Sequence, residues 1–206
     1  PSLHCVVCGV RKLPPAHMLI VENNTVREER YWSLSFKKKL PLSETDLRAQ
    51  LLSRLESSVQ SMMVADVPLG AFLSGGVDSS AIVAMMAKHS HAPVETFSIG
   101  FHDEDISELP YARMVSERFG TRHHEFIIEP NVLDVLPKLA YHLDEPFSDA
   151  SIIPAYYIAC ETKKIVTVAL TGDGSDELFA GYEWFKALKL ASWYKQLPVS
   201  IRKGIY

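Results

Sequence analysis

Hydrophobic positions along the chain change their period, and those changes divide it. Near the start two β-rich runs, 18–21 and 26–32, flank the turn-forming cluster Glu22-Asn-Asn-Thr25, which predicts a hairpin. A hairpin alone is marginal in water, so this one must lean on something else. The period then lengthens. Leu47, Leu51, Leu55, Val59 and Met62 recur at helical spacing, which predicts a helix over 44–63 with that stripe in a core. Ser43 followed by Asp46 resembles a capping box that opens it. Beyond residue 63, short apolar runs alternate with helical segments. Strands are predicted at 67–73, 94–101, 123–128 and 165–170, and helices at 78–88, 110–119, 131–142, 153–162 and 175–180. Pro68 interrupts the first of these strands early, and Pro154 falls in a first turn, where a missing N–H costs nothing. Continuous strands rich in β-branched and aromatic residues suit a parallel sheet buried on both faces. The alternation predicts an α/β doubly wound domain over 43–206, joined through a linker at 37–42 to a separate segment, 1–36.

Two strand-to-helix junctions carry candidate chemistry. The first is Ala71-Phe-Leu-Ser-Gly-Gly-Val-Asp-Ser-Ser80: a buried strand, a glycine turn, then a helix start. Gly75 and Gly76 lack a Cβ, so the backbone can turn sharply and approach a ligand closely. Unpaired N–H groups at the helix start favour anions, and Ser74, Ser79 and Ser80 add hydroxyls. That combination reads as a phosphate cradle rather than a bare turn ending a core strand. No Lys-Ser/Thr pair follows the glycines, so it is not a Walker loop. Asp78 sits inside the cradle, and a carboxylate beside phosphates implies a divalent cation between them.

The second junction, ending in Thr171-Gly-Asp-Gly-Ser-Asp-Glu177, repeats the architecture with acids in place of hydroxyls. Asp173, Asp176 and Glu177 repel one another unless a cation or a positive substrate group joins them. A solvated acidic helix start is the plainer alternative. Together the two loops can hold a nucleoside triphosphate and its Mg2+, with Asp78 and Asp176 as the metal ligands.

Composition narrows the class. The 206 residues have room for one large core or a little more, and 47% hydrophobic content with 22% charge fits a globular protein. A net charge of −4 argues against nucleic acid as the main partner. No apolar run approaches the roughly 18 residues of a membrane span. Three cysteines, Cys5, Cys8 and Cys160, form no disulfide pattern and suit a reducing cytoplasm. Cys5-Val-Val-Cys8 has metal-ligand spacing, but the chain holds no second pair to complete a tetrahedral zinc site, and only His4 and His17 lie near in sequence. The chain opens on Pro1 rather than Met, which reads as a fragment whose true N-terminus is unseen.

Six pieces, in order, carry a resemblance: Leu73-Ser-Gly-Gly-Val-Asp-Ser-Ser80, Thr96-Phe-Ser-Ile-Gly-Phe101, Tyr111-Ala-Arg113, Gly120-Thr-Arg-His-His-Glu125, Asp144-Glu-Pro-Phe147 and Thr171-Gly-Asp-Gly-Ser-Asp-Glu-Leu-Phe-Ala-Gly-Tyr182. The first alone marks the wider family of ATP pyrophosphatases. As a set they resemble the synthetase domain of glutamine-dependent asparagine synthetases. Gly9-Val-Arg-Lys-Leu-Pro-Pro-Ala-His17 and the hairpin ending Arg30-Tyr-Trp32 resemble the tail of that family's glutaminase domain.

The resemblance implies a fold of the adenine-nucleotide alpha-hydrolase type, the PP-loop ATP pyrophosphatases. It implies cleavage of ATP between its α and β phosphates as aspartate forms an acyl-adenylate, and then displacement of AMP by ammonia. On this match Ser74, Gly75, Gly76, Asp78, Ser79 and Ser80 hold pyrophosphate, and Leu73 and Ile99 line the adenosine pocket. Thr171 and Gly172 touch the nucleotide, and Asp173 stands where the family has a catalytic acid, often Glu. Glu145, Asp149 and Ser151 are weaker candidates for contact with the amino acid, and His123-His124 reads as structural. Implied partners are aspartate, or another carboxylate, and ammonia from a glutaminase domain not in this chain; the full-length protein is a possible homodimer.

Two departures set further expectations. The glutaminase domain with its N-terminal cysteine nucleophile is absent, and neither Cys5 nor Cys8 replaces it. The family also continues past the position of Tyr206 into a helical region that closes the site. The chain alone is therefore expected to bind ATP weakly and not to turn over. An amidotransferase for another carboxylate and a nucleotide-binding module without catalysis are the competing readings. The acidic loop argues against the module. A tRNA-modifying pyrophosphatase would need a basic face and catalytic cysteines, which the sequence lacks.

Overall fold

A computed structural model of the chain describes residues 5–37, 39–101, 107–129, 131–143, 146, 149–196, 198 and 202. Two compact units emerge, one formed by residues 1–53 and 131–153, the other by 54–130 and 154–206.

In the first unit, strands β1 (His17–Glu22) and β2 (Thr25–Arg30) pair antiparallel, with Glu22 opposite Thr25. The connection is Asn23-Asn24, with φ of 48° and 63°, both left-handed. Asparagine tolerates that region because its short amide bonds locally, and two such residues make the tight turn that matches strand twist. Helix α1 (Glu44–Met62) opens as expected: the Asp46 N–H donates to Ser43 Oγ at 3.1 Å, and Ser43 Oγ donates to Asp46 Oδ2 at 2.6 Å. Such caps stabilise by about 1 kcal/mol. The expected core stripe holds only in part. Val59 is buried and Leu55 packs beside it, whereas Leu47, Leu51 and Met62 are exposed. Helix α4 (Val132–Leu143) buries Val135 and Leu139 and carries Pro137 inside it. Of the motif that follows α4, Asp144, Glu145 and Phe147 lie outside the described residues.

The second unit is built on a parallel sheet. Strands β3 (Leu69–Phe72), β4 (Glu95–Gly100), β5 (Arg122–Ile127) and β6 (Val168–Leu170) lie in the order β5-β4-β3-β6, every pair parallel. Helices α2 (Val77–His89), α3 (Leu109–Phe119), α5 (Ile152–Thr162), α6 (Ser175–Phe179) and α7 (Glu183–Gln196) complete the order, so the α/β doubly wound expectation is borne out. The core gathers Val59, Ala71, Leu73, Val83, Met86 and Ala112, with Phe97 fully buried in β4. Glu56 ties α1 to α2 by accepting from Lys88 Nζ at 2.5 Å, and its Oε1 lies 2.7 Å from His89 Nε2.

Element ends differ from the expected ones for local reasons. β3 begins at Leu69, because Pro68 has no N–H to give the ladder; its carbonyl still accepts from the Thr167 N–H at 3.0 Å. β6 is shorter than 165–170, because the N–H groups of Ile165 and Val166 turn back to the Thr162 carbonyl at 2.9 Å. α7 is an addition. Trp184, Ala187, Leu188, Ala191 and Tyr194 recur along it at helical spacing, yet it buries none of its residues. Among the described residues no helix is long and apolar enough to cross a membrane.

His123 and His124 both meet neighbours within the sheet. The His124 ring stacks on Phe97 with centroids 5.2 Å apart, and its Nε2 lies 2.6 Å from Glu95 Oε2. His123 Nδ1 lies 3.0 Å from Thr96 Oγ1. Its Nε2 finds no hydrogen-bond partner, although Glu125 Oε1 is 3.5 Å away. Burial pushes the His123 imidazole below its ordinary value; the Glu125 carboxylate opposes that shift, while His124 and Arg113 add to it. In the unfolded chain this imidazole takes up a proton near the usual value of about 6.5, while folded His123 stays neutral there. Its contribution to stability is therefore complete above about pH 6.5 and is lost as pH falls through the lower folded value. Urea unfolding between about pH 7.5 and 5.5 should show stability declining with acid, and His123→Gln should flatten that slope. An unchanged slope in the variant would assign the decline to other groups.

Candidate nucleotide site

The sheet order sets where a site can form. From β3 the chain moves outward to β4 and β5, then returns to the opposite side as β6. Loops leaving β3 and β6 therefore part at their carboxyl ends, the position where open α/β sheets leave a crevice for ligands. Those two loops are the serine-glycine loop and the acidic loop.

The first loop is held by its own serines. Leu73, 1% exposed, donates its N–H to the Phe97 carbonyl at 2.9 Å and accepts from the Ser98 hydroxyl. The Ser74 N–H donates to Ser79 Oγ at 3.2 Å, and the two hydroxyls lie 3.0 Å apart. The Gly76 N–H donates to Ser74 Oγ at 3.2 Å, and Ser79 Oγ lies 3.3 Å from the Gly76 carbonyl. Ser74 and Ser79 thus engage their hydroxyls within the loop, and Ser80 Oγ is buried without a partner. The donors that remain for an anion are backbone N–H groups. Gly76 caps α2 in an extended conformation with no side-chain hydrogen bond, so the first-turn N–H groups stay unpaired, with Asp78 among them. Gly75 has φ +82°, and a Cβ there would stand 2.5 Å from Tyr111 Cβ and 2.6 Å from Ala112 N.

The second loop seats against the first. A Cβ on Gly172 would stand 3.1 Å from Ser79 N and 3.2 Å from Asp78 Cβ. Thr171 Oγ1 accepts from the Asp173 N–H at 2.9 Å. Asp176 folds its carboxylate over Gly181, where any Cβ would overlap Asp176 Oδ1. The Tyr182 hydroxyl donates to Glu177 Oε1 at 2.7 Å. That bond, then burial, then the charges of Glu177, Asp176 and Asp173 push the phenol up to about 12. All three acids therefore act on one locus.

Beside the first loop a pocket of about 130 Å³ is lined by Leu73, Ser74, Ser98, Ile99, Glu108 and Leu109, among others. It brings together Leu73 and Ile99, which lie far apart in sequence. Glu108 was not among the expected residues; the available signal was its place just before the Pro110 helix start. A larger groove of about 460 Å³ runs along α5 and β6 and contains none of the loop residues. Asp149 belongs to the other unit, where its carboxylate accepts the Ser151 N–H at 2.9 Å, a bond that holds it below the usual carboxylate range. Glu145 lies outside the described residues.

Among the described residues no three His, Cys, Asp or Glu side chains gather closely enough to hold a metal by themselves. Magnesium is commonly held by one or two carboxylates together with substrate phosphates and water. Hard oxygen donors on two adjoining loops fit an ion that arrives with its nucleotide.

The family profile for asparagine synthase matches residues 50–204. Asparagine synthetase [glutamine-hydrolyzing] 1 of Bacillus subtilis is 35% identical over 196 residues, covering 94% of this chain and 31% of that protein. A putative asparagine synthetase 2 of Methanocaldococcus jannaschii is 36% identical over 186 residues, covering 88% of this chain and 36% of its own length. The chain thus spans about a third of the curated relatives it matches, at 31% and 36%. Among solved structures, an NMN synthetase from Francisella tularensis superposes with a TM-score of 0.42 at 17% identity, covering 68% of this chain and 59% of that one. On the profile match and the curated relatives, this chain belongs to the asparagine synthase family.

Proposed function

We propose that this chain carries the ATP-dependent half of asparagine synthesis. In the proposed reaction the side-chain carboxylate of aspartate attacks the α phosphorus of ATP, giving β-aspartyl-AMP and pyrophosphate. Ammonia derived from glutamine then attacks the acyl carbon, AMP leaves, and asparagine forms. The observation that carries this reading is the seating of Gly172 against Asp78 and Ser79, which joins a donor loop to an acidic one.

Each group has a part. The N–H groups at the start of α2, in the Ser74–Ser80 loop, bind the leaving pyrophosphate, and the α2 dipole favours its charge. Leu73 and Ile99 flank the adenosine, while Thr171 and Gly172 pass along the nucleotide. Asp78 and Asp176 would hold Mg2+, which when bound neutralises phosphate charge. Asp173 faces the reacting centre and takes a proton as ammonia adds. Such a reaction depends on in-line positioning and charge neutralisation more than on a protein nucleophile. Residues 1–36 fit the reading as the end of a glutaminase domain, joined through 37–42.

Pyrophosphate release tests it directly, in the protein that contains this chain, with ATP, aspartate and ammonium. Release should depend on aspartate, and Asp173→Ala should lower it by about 100-fold, the scale of losing one group that acts on the transition state. Equal release with and without aspartate would reject aspartate as the acceptor. Wild-type rates in Asp173→Ala would remove that residue from the chemistry.

A further inference from the structure

The pocket of about 130 Å³ beside the first loop is lined by three polar side chains, and two of them already have partners inside the protein. The Ser98 hydroxyl donates to the Leu73 carbonyl. Ser74 Oγ accepts from the Gly76 N–H and lies 3.0 Å from Ser79 Oγ. The third is Glu108, which alone is ionisable among the described residues that line the pocket. It stands at the N-cap of α3, where its side chain makes no capping hydrogen bond. Its carbonyl closes the helix start instead, accepting from the N–H groups of Tyr111 and Ala112 at 3.1 and 3.2 Å.

That helix start packs on the serine-glycine loop. A Cβ on Gly75 would stand 2.5 Å from Tyr111 Cβ and 2.6 Å from Ala112 N. Glu108 precedes Ala112 by one helical turn, about 5.4 Å. A nucleotide whose phosphates lie on the N–H groups of the loop therefore has its sugar, rather than the far edge of its base, at the level of Glu108. An ionised carboxylate only accepts hydrogen bonds. On adenosine it can meet the N6 amine or the two ribose hydroxyls. The amine has the acceptor N7 beside it, which repels a carboxylate. The vicinal hydroxyls instead present two donors side by side, matched to two carboxylate oxygens. Acids serve ribose hydroxyls in other nucleotide-binding α/β sheets.

Resting on the nucleotide reading above, we propose that Glu108 accepts hydrogen bonds from the 2′- and 3′-hydroxyls, so that the site selects ribonucleoside over deoxyribonucleoside triphosphates. Leu73, Ile99 and Leu109 then supply apolar walls for the base. A hydrogen bond to a charged group is strong enough that losing one weakens binding by about tenfold or more. The bond is made in the bound nucleotide and kept through the reaction, so its loss raises KM and leaves kcat nearly unchanged.

The test is pyrophosphate release by the protein that contains this chain, compared for ATP, 2′-deoxy-ATP, 3′-deoxy-ATP and inosine triphosphate. Each deoxynucleotide should raise KM by about tenfold or more at similar kcat. Glu108→Ala should raise the KM for ATP into that range and use all three adenine nucleotides alike. Its preference for ATP over inosine triphosphate should stay as in wild type. Glu108→Gln, which keeps the shape of the side chain and one accepting oxygen, should fall between. Wild-type protein that uses the deoxynucleotides as readily as ATP overturns the proposal, whatever the variants do. So does Glu108→Ala protein that keeps the discrimination, or that loses the preference over inosine triphosphate instead, which would put the carboxylate at the base. Release that selects ribose but ignores aspartate would reject aspartate as the acceptor and still support this role of Glu108. Aspartate-dependent release without ribose selection would do the reverse.

Discussion

Gly75→Ala should lower the free energy of unfolding by about 2–6 kcal/mol, summing a left-handed residue that is not glycine and an overpacked contact. Both terms act at this position. The backbone sits at φ +82°, and the added methyl would meet Tyr111 Cβ at 2.5 Å and Ala112 N at 2.6 Å. The second neighbour is backbone, so it cannot rotate away. Relief requires moving the start of α3 or reshaping the serine-glycine loop, and the second route dismantles the row of N–H groups. Any fraction that folds should therefore bind ATP at least tenfold more weakly than wild type. Gly120 provides the control. It too is left-handed, at φ +63°, but nothing lies within 4 Å of its Cβ position. Gly120→Ala should cost only the backbone term, about 1–2 kcal/mol, and leave binding unchanged. Denaturant titrations of both variants check the difference, and equal losses would show that contact with α3 plays no part.

Phe97→Ala should cost about 3–5 kcal/mol, a large share of the roughly 5–15 kcal/mol that holds a domain folded. Phe97 is fully buried in the second strand from one side of the described sheet, stacks on His124, and presses its ring edge against Gly70. A Cβ at Gly70 would stand 2.6 Å from Phe97 Cε2 and 2.7 Å from the Glu95 carbonyl, so the neighbouring strand cannot fill the space with a larger residue. Truncation leaves a void that opens toward the 130 Å³ pocket, since Phe97 also lines it. Val77→Ala is the contrast: Val77 is 86% exposed, and the change should stay within about 0.5 kcal/mol. A melting temperature in Phe97→Ala close to that of wild type would mean that the core repacks around the loss.

Much of this was legible in the sequence, and the limits have physical reasons. The strands and glycine turns could be read because each rests on a local rule: continuous β-branched runs, then residues without a Cβ where the chain must turn. The two site loops could be named for the same reason. Their meeting at Gly172 could not, because it depends on β3 and β6 being neighbours, a pairing between residues about a hundred positions apart. The serines read as ligand donors, but Ser74 and Ser79 spend their hydroxyls closing the loop, and such internal pairing leaves no periodic trace. Leu47 and Leu51 followed a helical stripe and still lie exposed, because spacing reports one face of a helix and not what covers it. Glu108 carried no motif of its own, and only the nearness of α3 to the ends of β3 and β4 brings it to the pocket.

The adjacency of β3 and β6 has one more effect. Neighbouring strands stand about 4.8 Å apart, a spacing set by N–H···O bonds rather than by any side chain. Donor loop and acidic loop are rooted on that fixed gauge, at Phe72 and Leu170. Their separation at the base is thus a property of the peptide group itself, the same in every protein that keeps this strand order. Mutation can change what the loops carry and how they lean, but not the width of the foundation. A site so anchored suits a ligand feature of constant size. For the proposed reaction that feature is the polyphosphate chain, which leaves the variable acceptor to be chosen by elements not tied to the sheet.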